Sequence, residues 1–366
     1  MRGFAFGSPK TIEIKTPRHE RRLSLSNSAR HDVTECNEVA HGRKKKVTKR
    51  VHRIVRPVGT LIFLLAWLVP WRPAFRTRAK QSKLPFFVSR RDIIGRHIAK
   101  YGTHEPLLTQ WISDHLASSP PGIFVDVGAN LGWYAVHAAK HKAVETVVAF
   151  EPDLFNAWLL GRNLSLNCID NVVVSACAVG ARRGMIRLHH YKDSNRGRHS
   201  VLADYGRGSQ IVPMTDLDTE LESLGLADRP VLIVKIDVEG YEPEVVTGAK
   251  RTLARADVVI VEHSPGLSQA GGLSYESMLD QLYAAGLTPY SLGAEEWTEE
   301  SPVGSRPFEG QMDVIWIRSG KETTLLRNSE ANLTPLAGKA ALMHLAEVWR
   351  HLHEKAAKTG KAPLSR

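Results

Sequence analysis

The stretch "FVDVGANLGWYAVHAAK", Phe124–Lys140, changes character twice within a few residues. An apolar run typical of a buried strand ends at Val127, and a pattern typical of a helix resumes at residue 131. Two glycines and an asparagine fill the space between them. The stretch is either a tight turn and nothing more, or a loop whose backbone N–H groups face a ligand at the start of a helix.

Short apolar runs and helical patterns alternate on both sides of this stretch. Helices are predicted over residues 131–141, 153–167 and 216–226, over "PEVVTGAKRTLA" and over "YESMLDQLYAAG". The predicted strands are Ile123–Val127, Thr146–Phe150, Asn171–Val179, Val231–Asp237, Asp257–Ser264 and Gln311–Ser319, with an edge strand over "GMIRLHHY" and a further strand over "SQIVPMT". This alternation predicts an α/β fold with a doubly wound, mostly parallel sheet and helices on both faces. Such sheets bind ligands beyond the carboxyl ends of their strands.

Composition divides the chain of 366 residues into five segments. Residues 1–57 are predicted to be a disordered basic tail, and residues 58–83 a short apolar segment with a basic linker. Residues 84–119 are predicted to be a helical lead-in, 120–320 the α/β domain, and 321–366 a C-terminal helix and tail.

The net charge of +11 is concentrated at the N-terminus. Residues 1–57 carry 15 Lys and Arg against 5 Asp and Glu, whereas residues 84–366 carry 29 against 33. The α/β domain therefore lacks the positive charge of a nucleic-acid groove, and nucleic acid is not expected as its partner. The tail could still contact an anionic surface.

An apolar segment, "VGTLIFLLAWLVPW", follows the basic tail at Val58–Trp71. It is shorter than the ~20 residues of a spanning helix and lacks the small-residue cleavage site of a signal peptide. Two readings stay open. Tail and segment lie on an anionic membrane surface, or the segment packs on the domain or precedes the true start of translation. The expected location is cytoplasmic, either free or peripheral at the inner membrane face.

Three cysteines, Cys36, Cys168 and Cys177, form no CxxC pair. The sequence therefore predicts neither a metal site nor a disulfide framework, which suits a reducing compartment.

Two further motifs point to the same end of the predicted sheet. The second strand ends in "FEP", which places Glu151 23 residues after Gly128. An acidic side chain about 20 residues beyond such glycines binds the two hydroxyls of a ribose. A later strand ends in "KIDVEGYE", which delivers Asp237 and Glu239 beside Lys235. Taken with these motifs, the glycine stretch favours a pocket for a nucleotide-like ligand over a simple turn.

These three motifs together resemble the FkbM family of S-adenosylmethionine-dependent methyltransferases. The resemblance covers residues 120–265, with weaker support to residue 318. It implies a class I methyltransferase fold, whose seven-stranded, Rossmann-like sheet has its last strand antiparallel. It also implies O-methylation of a hydroxyl on a sugar, glycolipid, polyketide or similar small molecule.

The resemblance assigns residues to S-adenosylmethionine by position. The methionine end is implied to be lined by the glycine stretch, and the ribose to be bound by Glu151 with Pro152 beside it. Cys177 and Ala178 are placed at the adenine by position alone. The residues implied for the methionine end are Asp126, Gly128, Asn130 and Gly132.

A hydroxyl acceptor benefits from a base, while in-line placement of an already activated methyl group supplies much of the rate. The candidates are Asp237, Glu239, His199 and His263. Our hypothesis is that Asp237 orients substrate or cofactor and that one of the two histidines accepts the proton. The loop Lys192–Arg207 is interpreted either as a solvated charge run or as an acceptor-binding lid that favours a phosphorylated or acidic substrate.

Three other functions stay open on the sequence. One is methylation of RNA or another nucleic acid. An enzyme that methylates amino groups is expected to carry an N/D-P-P-Y/F type sequence after the fourth strand, and this chain has "IDVEG" there instead. Another is a nicotinamide oxidoreductase, which would carry the GxGxxG spacing that is missing here. The third is a catalytically silent, membrane-associated binding protein. The expected partner is a small-molecule or glycan acceptor, and the oligomeric state is left open.

Overall fold

The computed structural model describes residues 61, 74–292, 312–321, 333–336, 338–339, 342–343 and 347. The predicted disordered tail, nearly all of the apolar segment Val58–Trp71 and most of the predicted C-terminal helix lie outside the described residues. Within the part that is described, no helix has both the length and the apolar content needed to cross a membrane.

Strands and helices alternate through the described region. The strands are β1 (Ala74–Arg78), β2 (Pro85–Ser89), β3 (Gly122–Val127), β4 (Val144–Phe150), β5 (Val172–Ser175), β6 (Ala178–Val179), β7 (Gly184–His189), β8 (Ser209–Thr215), β9 (Val231–Ile236), β10 (Ala256–His263), β11 (Leu287–Leu292), β12 (Met312–Arg318) and β13 (Leu333–Pro335). The helices are α1 (Ile93–Tyr101), α2 (Pro106–Ser118), α3 (Trp133–Ala138), α4 (Leu154–Leu166), α5 (Leu217–Ser223), α6 (Glu242–Thr247), α7 (Lys250–Arg255), α8 (Pro265–Ala270) and α9 (Tyr275–Ala284).

Among the described residues the main sheet has the order β13-β11-β12-β10-β9-β3-β4-β5. Neighbouring strands from β10 to β5 pair in parallel, and β12 is antiparallel to both β10 and β11. This confirms the predicted mostly parallel α/β sheet, in which the antiparallel strand lies over "QMDVIWIRS". The sheet also contains an eighth strand, β13, which pairs antiparallel with β11. The strand order reverses at β3, because β4 and β5 lie on one side of it and β9 and β10 on the other. In parallel sheets, such a reversal puts a ligand-binding crevice beyond the carboxyl ends of the two strands that flank it, here β3 and β9.

The central strands are apolar because both of their faces are covered. All residues of β3 and β9 are buried. Alternate side chains enter two core layers, with Phe124 and Ile233 in one layer and Val125 and Val234 in the other. A strand buried on both sides carries a polar residue only where that residue has a partner or a task, which makes Asp126 notable.

Two predicted elements are divided in the structure. The strand predicted over Asn171–Val179 is two strands: β5 closes the main sheet, and β6 joins β8 and β7 in a separate three-stranded sheet. The helix predicted over "PEVVTGAKRTLA" breaks into α6 and α7 around Gly248. A side chain at Gly248 would meet the Gly180 carbonyl at 2.0 Å, so this break lets two backbone segments touch.

A hairpin of β1 and β2 occupies residues for which the sequence predicted only a linker and a helical lead-in. It packs on α4 through Asn163, which is fully buried. Asn163 Oδ1 accepts a hydrogen bond from Phe87 N at 2.6 Å, and its Nδ2 donates to the carbonyls of Phe87 at 3.1 Å and Leu131 at 2.8 Å. One amide therefore joins the hairpin to the loop that follows β3.

We expect Asn163→Ala to lower the free energy of unfolding by about 2–4 kcal/mol, because it leaves buried backbone groups of Phe87 and Leu131 without partners. Urea unfolding checks this value. Gln110→Ala, at an exposed helix position, serves as the control and should change stability little. A loss for Asn163→Ala no larger than that of the control would show that the hairpin is not held in this way.

Candidate active site

The loop after β3 takes its shape from three residues with positive φ: Gly128 at 87°, Asn130 at 51° and Gly132 at 86°. A side chain at Gly128 would meet the Asp237 carbonyl at 1.9 Å, and one at Gly132 would meet Leu160 Cδ1 at 2.2 Å. The sequence suggested a close approach of this backbone to a ligand. In the structure both glycines are required by close approach within the protein, which brings the end of β9 and helix α4 against the loop.

Glu151 lies buried at the end of β4 and connects two loops. Its Oε2 accepts a hydrogen bond from Asn130 N at 2.7 Å, and its Oε1 accepts one from Asp153 N at 2.8 Å. Burial raises the pKa of Glu151 to about 8, Asp153 adds to that rise, and the backbone N–H groups oppose it. An oxygen of a carboxylate can accept more than one hydrogen bond, so Glu151 can still accept hydrogen bonds from the hydroxyls of a ribose.

Asp126 is buried beneath the same loop. Within the part of the chain that the structure describes, its Oδ2 has no hydrogen-bond partner. Burial raises the pKa of Asp126 to about 6, although the neighbouring Lys235 opposes that rise. A buried carboxylate oxygen without a partner suits an external donor, such as the ammonium of an amino acid.

The buried ammonium of Lys235 lies among the carboxylates at this end of the sheet. Its Nζ donates to Asp237 Oδ2 at 2.8 Å and lies 4.9 Å from the centre of the Tyr134 ring. The Tyr134 hydroxyl donates to Glu105, which joins the same group. Burial alone would lower the pKa of Lys235, but Asp237 and other carboxylates raise it above its ordinary value. The lysine therefore stays charged and holds Asp237 in place.

Three carboxylates come together at the ends of β9 and β10. One oxygen from each of Asp237, Glu239 and Glu262 lies within 4.8 Å of the others. Burial, followed by the charges of Asp237 and Glu239, raises the pKa of Glu262 well above its ordinary value, and Glu262 hydrogen-bonds to Asp237. Glu239 has φ of 53°, a strained conformation for a non-glycine residue. These distances would also suit a divalent cation, so the absence of a metal stays a prediction.

The structure gives both candidate histidines other contacts. His263 is buried on the opposite face of β10 from Glu262, where its Nδ1 bonds the Tyr275 hydroxyl and its Nε2 accepts from Trp316 Nε1 at 3.3 Å. Burial lowers the pKa of His263 to about 3. Both ring nitrogens are occupied inside the core, which leaves neither of them to take a proton from a substrate.

His199 lies closer to the site but is also engaged. Its Nδ1 accepts a hydrogen bond from Tyr191 N at 2.9 Å, and its Nε2 lies 3.8 Å from Asp153 Oδ2. Burial lowers the pKa of His199 to about 4, although Asp153 opposes that effect. The histidine anchors its loop, so the geometry favours Asp237 and Glu239 over both histidines as proton acceptors.

The loop Lys192–Arg207 is tied to several walls of the site. Arg196 N donates to Asp92 Oδ1 at 2.9 Å, and Ser200 Oγ donates to the Glu239 carbonyl at 3.1 Å. Gly197 packs on Asn130, since an added Cβ would lie 3.0 Å from Asn130 Nδ2. These contacts contradict the interpretation of this loop as a solvated charge run. They place it over the loop of Gly128, Asn130 and Gly132, called the glycine loop below.

The remaining predicted cofactor residues lie at the same sheet edge. Pro152 follows Glu151 directly and is partly exposed, and Cys177 and Ala178 come just after β5. Cys177 is buried, and its Sγ lies 3.2 Å from Ser175 Oγ. Their assignment to the adenine remains a prediction.

Sequence reasoning missed Glu105, Tyr134 and Glu262 as members of this site. Glu105 comes from the segment before β3, and its distance along the chain hides its contact with Tyr134. Glu262 directly precedes His263, which the sequence analysis named as a candidate proton acceptor. The alternation of side chains along β10 could have separated the two, because only Glu262 lies on the face of the sheet that carries Lys235 and Asp237.

Comparison with known proteins agrees with this geometry. Residues 126–287 match the model of the methyltransferase FkbM domain. That range contains the glycine loop, Glu151 and the carboxylate cluster. This part of the chain is a methyltransferase FkbM domain. Such a domain implies S-adenosylmethionine as the methyl donor. The orphaned oxygen of Asp126 and the acceptor capacity of Glu151 fit its ammonium and its ribose.

The chain is also similar to named methyltransferases. It is 31% identical over 142 residues to the hexuronic acid methyltransferase AglP of Haloferax volcanii, which covers 39% of this chain and 56% of that protein. It is 27% identical over 172 residues to methyltransferase sdnD of Sordaria araneosa, which covers 37% of this chain and 65% of that protein. The chain thus spans less than two thirds of either relative.

A solved structure shows a weaker likeness. Magnesium protoporphyrin IX methyltransferase from Synechocystis, with bound S-adenosylmethionine, is 11% identical and covers 62% of this chain and 85% of that chain at a TM-score of 0.32. This value is too low to support an argument, so the fold assignment rests on the strand order itself.

The turn that carries the site depends on Glu242, whose pKa burial raises to about 8. Its Oε1 accepts from Val238 N at 3.2 Å and Gly240 N at 3.0 Å, while its buried Oε2 has no partner among the described residues. An unfolded chain loses this proton near pH 4.5, whereas the folded chain keeps it to about 8, so stability falls as pH rises through that window.

Glu242→Gln keeps the accepting oxygen and removes the buried charge. We expect the variant to gain about 1–3 kcal/mol over the wild type at pH 8.5 and to match it near pH 4.5. Urea unfolding at the two pH values measures the difference. An equal difference at both pH values would contradict the raised pKa of Glu242.

Proposed function

We propose that this protein is an S-adenosylmethionine-dependent O-methyltransferase that acts on a hydroxyl of a sugar, glycolipid, polyketide or similar small molecule. The observation that carries the proposal is that Asp126, Glu151 and Asp237 lie at the carboxyl ends of neighbouring strands inside a methyltransferase FkbM domain. Cofactor-binding groups and proton acceptors are thus adjacent at the crevice where the strand order reverses.

The proposed roles divide between binding and proton transfer. Asp126 and the loop of Gly128, Asn130 and Gly132 bind the methionine end, and Glu151 binds the ribose. The cofactor supplies a methyl group that is already activated on a sulfonium. The protein therefore has to place the acceptor oxygen in line and receive its proton.

Asp237 is the proposed proton acceptor, with Glu239 beside it. Lys235 supports this role, because its bond to Oδ2 fixes the carboxylate and keeps its pKa low against the effect of burial. Glu262 also hydrogen-bonds to Asp237, and a carboxylate with two oxygens can accept a further hydrogen bond from the acceptor hydroxyl. The side chain is 30% exposed, so a substrate can reach it.

The similarity to a hexuronic acid methyltransferase supports a sugar as the acceptor. Methylation of nucleic acid finds less support, because residues 84–366 carry more acidic than basic groups. A hexuronic acid offers both a carboxylate and hydroxyls. Methylation of the first gives an ester and methylation of the second gives an ether, and the two products differ in their stability to alkali.

The test is transfer of label from S-adenosylmethionine with a tritiated methyl group into polysaccharide, glycolipid and RNA fractions of cells. We expect incorporation into a saccharide-bearing fraction that survives mild alkali, because an ether is stable where an ester releases methanol. Base-labile label would mean carboxyl methylation. Label in RNA alone would refute the proposal, and no label in any fraction would favour a catalytically silent protein.

We expect Asp237→Asn to lower kcat at least 100-fold with little change in S-adenosylmethionine affinity, because the amide cannot accept the proton. Asp257→Asn is the matched control, since Asp257 lies at the other end of β10 in an ion pair with Lys321. His199→Gln and His263→Gln should keep most turnover per folded molecule. Normal kcat in Asp237→Asn would remove Asp237 from the mechanism.

A further inference from the structure

Two tyrosines, an arginine and a carboxylate lie together beside Asp237. We call this cluster the tyrosine pocket: Tyr191, Arg198, Tyr205 and Glu239. The Tyr191 and Tyr205 rings meet edge to face, with centroids 4.7 Å apart. The Arg198 guanidinium lies over the Tyr191 ring at 5.4 Å. Apart from Glu239, these residues come from the segment between β7 and β8, which the cofactor assignment leaves unused.

Two hydrogen-bond donors in this pocket are buried without partners among the described residues, the Tyr205 hydroxyl and Arg198 Nε. Arg198 Nε lies 3.6 Å from Glu239 Oε2, which is an ion pair but too long for a hydrogen bond. A buried donor that is left without a partner destabilises the folded state. Two such donors at one place indicate groups that are kept for a ligand.

The tyrosine pocket adjoins the atoms that would react. Glu239 is two residues from Asp237, and one oxygen of each lies within 4.8 Å of the other. On its other side, Arg198 follows Gly197, which packs on Asn130 of the glycine loop. An acceptor held in this pocket would therefore lie between the proposed base and the methyl donor.

The chemistry of the pocket matches a polyhydroxylated ligand better than an anion. Burial raises the pKa of Tyr205 and Glu239 adds to that rise, so the phenol stays a donor at neutral pH. The carboxylate of Glu239 offsets the charge of Arg198 and supplies an acceptor. Donors and an acceptor side by side suit hydroxyls, which both donate and accept, and the tyrosine rings offer an apolar surface to the ring carbons of a sugar.

We propose that Tyr205 and Arg198, with Glu239 and the Tyr191 ring, form the acceptor subsite and select a saccharide by pairing with hydroxyls next to the one that is methylated. This inference rests on the proposed function for the identity of the reaction. It replaces the expected preference of this loop for phosphorylated or acidic substrates with a preference for the diol face of a sugar.

The experiment measures binding of defined probes by saturation-transfer NMR with S-adenosylhomocysteine present. The probes are methyl β-D-glucopyranoside, its uronic acid analogue, and cyclohexanol, which has one hydroxyl. The protein variants are Tyr205→Phe, which removes only the unpaired hydroxyl, and Arg198→Gln. Tyr283→Phe is the matched control, because its hydroxyl is also buried without a partner in the described part of the chain, while its ring packs edge to face on Trp316.

We expect both glycosides to bind the wild type more tightly than cyclohexanol. Tyr205→Phe should weaken glycoside binding about fivefold and Arg198→Gln at least tenfold, in line with loss of a neutral and a charged hydrogen bond. Tyr283→Phe should match the wild type. Equal binding in all variants, or cyclohexanol binding as tightly as the glycosides, would overturn the subsite.

Calorimetric titration with S-adenosylmethionine separates this inference from the proposed function. Unchanged cofactor affinity in Tyr205→Phe and Arg198→Gln is expected, and a parallel loss would assign these residues to the cofactor instead. A wild type that binds glycosides but not S-adenosylmethionine would refute the proposed function and leave the saccharide subsite standing. Melting temperatures confirm that each variant is folded.

Discussion

The candidate site depends on the buried ammonium of Lys235. A charge taken out of water is tolerated only when it is paired, and Lys235 is paired with Asp237 at 2.8 Å. The carboxylates of Asp126 and Glu105 also contribute to its charged state. Several acidic groups can share the end of a parallel sheet because this cation lies among them. Without it, burial would act unopposed by this cation and would raise the pKa of Asp237, the proton acceptor proposed here.

The same end of the sheet is closed by two tightly packed glycines and one buried carboxylate. Gly128 touches the Asp237 carbonyl, and Gly132 touches Leu160 of α4. Glu151 holds the loop after β3 in place by accepting a hydrogen bond from Asn130 N, and it also accepts one from Asp153 N. A loop fixed at so many points is preorganised, so little ordering is left to be done when a ligand binds.

Across from this rigid wall lies the segment that joins β7 and β8. It is held at Asp92, Asn130 and Glu239, yet Arg198 Nε and the Tyr205 hydroxyl have no hydrogen-bond partner within the residues that the structure describes. The two sides of the site therefore differ in how fully their polar groups are paired within the protein. We propose that the loop after β3 binds the cofactor and that the segment between β7 and β8 meets the acceptor.

The sequence by itself determined the parallel sheet and the expected place of the cofactor, because apolar runs and the spacing of Gly128 and Glu151 are local signals. It could not assign His263, since whether a side chain at the end of a strand faces the site or the core depends on register. It also missed Glu105 and Tyr205, whose roles come from contacts between segments distant in the chain. Only the tertiary structure decided which polar groups are paired in the core and which are left for a ligand, because pairing is a property of three-dimensional proximity.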